Sequence, residues 1–219
     1  MVVEGTSRLI DALNSGFAWQ SKSLTYSFPT LTSQWSYRGE PDNPAYGALS
    51  AQQAERFRAA LRAWDDVIAL DLLEVNEPNA IGKIRVAFTD IGLEAAHAYY
   101  PELTATAGNI WLDDSLKGSS FSAGSYDFHT MVHELGHVLG LKHPHEASGG
   151  SKALMPAELD DIRYTVMSYN VQAEQYKLDF SINPENQYLT YQANVVRADG
   201  PMLLDILAAQ AIYGAAMTT

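Results

Sequence analysis

Residues 133–143, His-Glu-Leu-Gly-His-Val-Leu-Gly-Leu-Lys-His, constrain this chain more than any other stretch. They spell H-E-x-x-H-x-x-G-x-x-H. On a helix, positions i and i+4 share a face, so His133 and His137 can reach one ion. Glu134, beside His133, can reach a water at that ion without being a ligand itself. Gly140 falls where helices commonly end in a left-handed residue. The chain can then turn sharply and bring His143 to the same ion. Three imidazoles leave one position open, the pattern of a catalytic rather than a structural zinc site. Chance is a weak rival. H-E-x-x-H alone would arise in roughly 1% of shuffled chains of this composition, and adding Gly140 and His143 lowers that to about two in 100,000.

The 219 residues suit one domain at the upper end of size, and 47% hydrophobic with 18% charged residues is a globular balance. The net charge of −12 argues against nucleic acid and against an anionic membrane surface. No run approaches the ~18 apolar residues of a membrane span. The N-terminus lacks the basic region and unbroken apolar core of a secretory signal peptide. There is no cysteine, so a zinc site must use histidines and carboxylates, and no disulfide contributes.

In chain order, residues 1–20 read as an N-terminal arm or pro-segment remnant with a short helix from Arg8 to Asn14. Leu24 to Phe28 alternates as a strand, and residues 29–49 read as a long surface loop. Ser50 and Gln53 form a capping box opening a helix to about Leu70, with Ala54, Phe57, Leu61, Trp64 and Ile68 as its core stripe. Leu72–Val75, Ile84–Phe88 and Asn109–Asp113 read as strands. Residues 95–101 read as a short edge strand, because Pro101 is tolerated only at an end or edge. The Asp113-Asp114 pair begins a solvated loop and leaves calcium open as a second ion. Tyr126 to about Leu139 is the motif's helix. His97 is expected at a rim, His129 as a packing or outer-sphere residue, and His145 as a loop residue with accessory-ligand chemistry. Residues 144–163 read as loop and 183–186 as a turn. Pro201 is expected at the first position of a last helix that Gly214 ends.

Several segments together resemble the serralysins, within the metzincin clan of zinc peptidases. They are His133–His143 with the following Pro144, the Met-turn Val-Met-Ser-Tyr at Val166–Tyr169, residues 23–30, 96–101 and 109–114, and the closing helix at 201–215. His145 stands where the family has glycine, and Asn170 where it has an aromatic residue. The resemblance implies an α+β metzincin, or zincin-like, fold: a twisted five-stranded mixed sheet, mostly parallel with one antiparallel edge strand, two long helices and a C-terminal helix. It implies one catalytic domain over 21–219, with an upper lobe to about 140 and a lower lobe after it. The family usually continues into a glycine-rich, calcium-binding β-roll, absent from these residues.

The implied activity is zinc-dependent endopeptidase cleavage of protein or peptide substrates. His133, His137 and His143 bind zinc, and Glu134 is general base. Met167 is a floor beneath the histidines, and Tyr169 is both a resting ligand and a donor to the developing oxyanion. Ala98, Tyr99 and Tyr100 would pair with the substrate backbone, since an exposed edge invites an added strand. Residues 170–176 would wall the specificity pocket. A protein inhibitor is a second partner class the resemblance admits, and a monomer outside the cell is expected. The rival from another class is a non-catalytic or latent metzincin-fold module that binds peptide or protein without turnover.

Overall fold

A computed structural model describes residues 4–30, 33, 35, 46–148 and 150–217. Most of the expected loop at 29–49 lies outside the described residues. The elements are α1 (Glu4–Leu13), β1 (Ser23–Ser27), α2 (Ala51–Asp65), β2 (Asp71–Glu74), β3 (Ile84–Thr89), β4 (Ala96–Ala98), β5 (Asn109–Asp113), α3 (Tyr126–Val138), β6 (Tyr176–Ile182), β7 (Leu189–Val195) and α4 (Leu203–Tyr213). Among the described residues no helix is long and apolar enough to cross a membrane.

Five strands form one twisted sheet in the order β2-β1-β3-β5-β4. β2, β1, β3 and β5 run parallel, and β4 pairs antiparallel with β5 through Ala96–Leu112, His97–Trp111 and Ala98–Ile110. All six residues of β3 are buried, as expected of a central parallel strand covered on both faces. The chain is therefore α+β, with the mixed sheet and two long helices that the resemblance implied.

Ser50 caps α2 with the full capping box, and Phe57, Leu61 and Trp64 are buried against α3. Trp64 also donates its indole N–H to Val132 O at 3.1 Å, tying the two long helices together. α2 ends at Asp65 and not near Leu70. Ile68 and Leu70 are buried all the same, but after a turn, so the apolar stripe outlasts the helix. β4 is shorter than the expected 95–101, and a 3-10 turn over Asp114–Gly118 replaces the expected start of a loop. Pro201 stands outside α4, whose N-cap is Met202; Gly214 ends it at φ +86°.

The N-terminal segment is not detached from the rest. α1 packs on α4, and Ala12 and Leu13 are fully buried. Asn14 bridges to Leu141, and Ser15 donates to Gly140 O at 2.7 Å. These contacts tie the segment expected as an N-terminal arm or pro-segment remnant to the last helix and to the turn after α3. Beyond α3 the chain is mostly irregular until the β6–β7 hairpin, which the sequence reading reduced to its turn.

Candidate active site

α3 is built to present one face and then stop. Ser125 accepts from Phe128 N at 3.1 Å, and Asp127 sits in the first turn, where the helix dipole favours an anion. Its end is a Schellman motif: Leu141 N donates to Gly136 O and Gly140 N to His137 O, both at 2.9 Å. Gly140 has φ +88°, and a Cβ there would stand 2.2 Å from Phe17 O. Both facts demand glycine. The turn folds the chain back and delivers His143.

Lys142 fixes that turn from below. It is fully buried, and its ammonium donates to Ala12 O at 2.7 Å, Glu146 O at 2.8 Å and Ala153 O at 2.9 Å. One side chain thus gathers the N-terminal segment and the loop after His143.

The three motif histidines converge. His143 Nε2 lies 3.1 Å from both His133 Nε2 and His137 Nε2. The outer nitrogens decide the tautomers. His133 Nδ1 is 2.7 Å from Val166 O and His137 Nδ1 is 2.8 Å from Leu141 O. A carbonyl only accepts, so each Nδ1 carries the proton and each Nε2 turns a bare lone pair inward. His143 Nδ1 meets Glu146 Oε2 at 3.0 Å, the carboxylate–histidine contact that orients a metal ligand. Burial, and then the neighbouring rings, hold His133 far below its usual range; the same causes take His137 down to about 3. Neutral imidazoles with lone pairs crowded together repel unless a cation lies between them. Nitrogens about 2.0–2.1 Å from a tetrahedral zinc stand roughly 3.3 Å apart, so this set fits the ion. Tyr169 Oη is 2.6 Å from His143 Nε2, aimed at the same point.

A second layer holds these ligands. Met167 is fully buried beneath α3, and a Cβ at Gly136 would stand 2.5 Å from its Sδ. Gly136 thus lets the Met167 segment approach the helix between the two histidines. Asp205, fully buried on α4, accepts from Val166 N and Met202 N at 2.8 Å and from Thr165 Oγ1 at 2.5 Å. Burial pushes its carboxyl up to about 6. The carbonyl of the same Val166 holds His133, so α4 steers a ligand through one residue. Sequence reasoning missed Gly136, Lys142, Glu146 and Asp205. Only Glu146, three residues after His143, carries a local spacing signal.

Glu134 is 4% exposed, and its Oε2 has no hydrogen-bond partner. Burial first, then the Glu94 charge, push its carboxyl up to about 8. A divalent cation at the imidazoles would pull it back down. The group lines a cleft of about 530 Å³ together with the three histidines, Tyr169 and the β4 edge.

On that edge, Ala95 O accepts from Asp113 N and Tyr99 N donates to Asn109 O. By the alternation of an antiparallel ladder, Ala96 and Ala98 turn their N–H and C=O away from β5. Tyr99 therefore spends its backbone inward and Ala98 turns its own outward; Tyr100 lies beyond the strand and packs on His137 at 5.5 Å. His97 lies at the cleft rim near Glu94, and His129 is buried one turn before His133. His145 stacks on His143 at 5.4 Å, its Nδ1 3.6 Å from Asp160. Among the described residues, the histidine and carboxylate groups placed to share an ion are His133–His137–His143 and His143–His145–Glu146. Asp113 instead caps the 3-10 turn through Ser115 N, and Asp114 pairs with Lys117.

The sequence model of the matrixin family matches residues 18–163. The chain belongs to that peptidase family. Within it the metzincin is serralysin-like. It is 30% identical to serralysin of Proteus mirabilis, over 91% of this chain and 41% of that protein. It is 28% identical to serralysin C of Dickeya chrysanthemi, over 91% and 40%. This metzincin thus spans about two fifths of the length of the curated relatives it matches.

Proposed function

We propose that the chain is the catalytic unit of a zinc-dependent endopeptidase acting on proteins or peptides. One observation carries this reading: three Nε2 lone pairs and the unpartnered Glu134 carboxylate meet in an open cleft beside an unpaired strand edge. Zinc, when bound, supplies Lewis acidity, polarising a carbonyl and acidifying a water.

The chain's own residues do the rest. Ala98, and Ala96 with it, pair with an extended substrate backbone and set its register. Glu134 takes a proton from the attacking water and passes it to the leaving amine. Tyr169, a phenol held up by burial and by the Glu134 and Glu146 charges, stays protonated and donates to the developing oxyanion. Met167 keeps the underside of the site dry. Residues 4–20 supply none of the cleft's lining, which favours an open site over one blocked by that segment. They belong with the catalytic unit as one folding body, and its family relationship favours work outside the cell.

The test measures bound zinc and hydrolysis of an unfolded protein, with and without chelator. The wild type should bind zinc and cut in a chelator-sensitive way. Glu134→Ala should keep its zinc and lose about 10²–10⁴-fold in rate. Bound zinc without chelator-sensitive cleavage would overturn the enzyme and leave a peptide-binding module.

A further inference from the structure

We infer that Arg197 makes a carboxylate-binding subsite in the cleft, so that favoured substrates carry a carboxylate over the first turns of α3. This deepens the peptidase reading and rests on it.

Arg197 follows β7 and lines the cleft with Tyr126, His129 and Thr130, where it is the sole Lys or Arg among the lining residues. Its guanidinium carbon lies 4.9 Å from the centroid of the Tyr126 ring. Arg58, Arg85 and Arg163 have carboxylate partners at 2.7–2.9 Å, and Arg197 has none among the described residues. The nearest acid in sequence, Asp199, accepts from Gly124 N instead. Arg197 is thus partly buried, its guanidinium over the Tyr126 ring and without a carboxylate partner among the described residues, so its fork is free for a bidentate carboxylate.

The rest of the cleft repels such a group. Glu94, Glu134 and Glu146 line it, and Glu146 sits beside His143. His129 and His137 are two helical turns apart, about 12 Å along α3. Arg197 faces the first end, beside Tyr126; Glu146 and Tyr100 face the second. Arg197 is therefore the one Lys or Arg set against three carboxylates in the lining, and Glu146 lies toward the far end of the helix from it. With a net charge of −12, the long-range field opposes acidic substrates, so a preference for one that Arg197→Ala removes would come from this contact. A carboxylate there can come from an Asp or Glu side chain or from a chain end.

The experiment uses peptides blocked at both ends, varied one position at a time among Glu, Gln and Lys for three residues either side of the cut. A matching series has a free C-terminus. Wild type should prefer Glu over Gln by about 10- to 100-fold in kcat/KM at one position. Arg197→Ala should bring that ratio near one, and Arg197→Glu should turn it toward Lys. A preference seen only with free C-termini assigns the carboxylate to the chain end; one seen in blocked peptides assigns it to a side chain. Wild type indifferent to acid at every position, or a preference surviving Arg197→Ala, overturns the subsite. If no peptide is cut, the peptidase reading fails. The Glu-to-Gln ratio of Kd, measured on zinc-loaded Glu134→Ala with and without Arg197→Ala, then decides the subsite by the same criterion.

Discussion

The block that carries the histidines and the β6–β7 hairpin are both made of patterned apolar sequence, yet they end in opposite environments. In the block, Met131, Val132, Val138, Val166 and Met167 are fully buried. In the hairpin, Tyr176, Leu178, Phe180 and Ile182 pair with Val195, Ala193, Tyr191 and Leu189 to make one apolar face. Lys177, Asp179 and Ser181 make the other face with Asn194, Gln192 and Thr190. Neither face is covered: Phe180 is 62% exposed on the apolar face, and Lys177 and Asp179 are exposed on the other. The hairpin holds by its own ladder, the Phe180–Tyr191 contact at 6.2 Å and the Ser181–Thr190 bond at 2.9 Å. Two strands alone are marginal in water. Apolar pattern makes an element; burial makes it rigid, and the histidines stand where every neighbour is fixed by another.

Gly140→Ala should break the rigid side most severely. A non-glycine residue at φ +88° is strained, and the new methyl would meet Phe17 O. Strain alone costs about 1–3 kcal/mol, and the displaced backbone adds to it. We expect Tm to fall by about 10 °C. Zinc affinity should fall too, because the turn delivers His143. An unchanged Tm with full zinc binding would show that the turn is softer than its contacts imply.

Asp205→Asn is the intermediate case. Three donors point at the carboxylate, and an amide NH2 among them costs about 1–3 kcal/mol and loosens Val166 against His133. Burial raises this carboxyl from 3.8 to about 6, so the folded protein holds the proton more tightly than the unfolded chain. That contribution is complete below about pH 4 and is lost as pH rises through about 6. The stability advantage of wild type over Asp205→Asn should therefore shrink between those values. Denaturant melts of both proteins across the window would read it. A constant or widening gap would mean that Asp205 is ionised in the fold throughout.

What was legible in the sequence followed how local each signal was. The histidine spacing, Gly140, the Ser50 cap and the β3 run are patterns within a dozen residues, and each stands as expected. Lys142 was invisible because a lysine ordinarily marks surface, and two of its four carbonyl partners, Ala153 and Ala12, lie 11 and 130 residues away. Asp205 was hidden because two of its three partners lie 39 and 40 residues off. Arg197 sits on a loop with no periodic context, and only the cleft gives it a role. The hairpin is different, for Leu178, Phe180 and Ile182 alternate before the Asn183-Pro184 turn, and strict alternation bounded by a turn is a strand signal. Only the turn at 183–186 and a pocket wall at 170–176 were read there, and the alternating residues between them were given no element.

Phe180→Ser should have the smallest effect, and it sharpens the contrast most when paired with Leu135→Ala. Leu135 is 1% exposed, and emptying its place should cost about 2–5 kcal/mol. Phe180 is exposed in a hairpin that packs on itself, so its loss should stay within about 0.5 kcal/mol and leave zinc content unchanged. Serine also interrupts the apolar face, so solubility should rise. A cost at Phe180 approaching that at Leu135 would mean that the face is covered in solution. The hairpin would then be as fixed as the block around the histidines, and the difference between the two regions would lie in what covers them and not in whether they are covered.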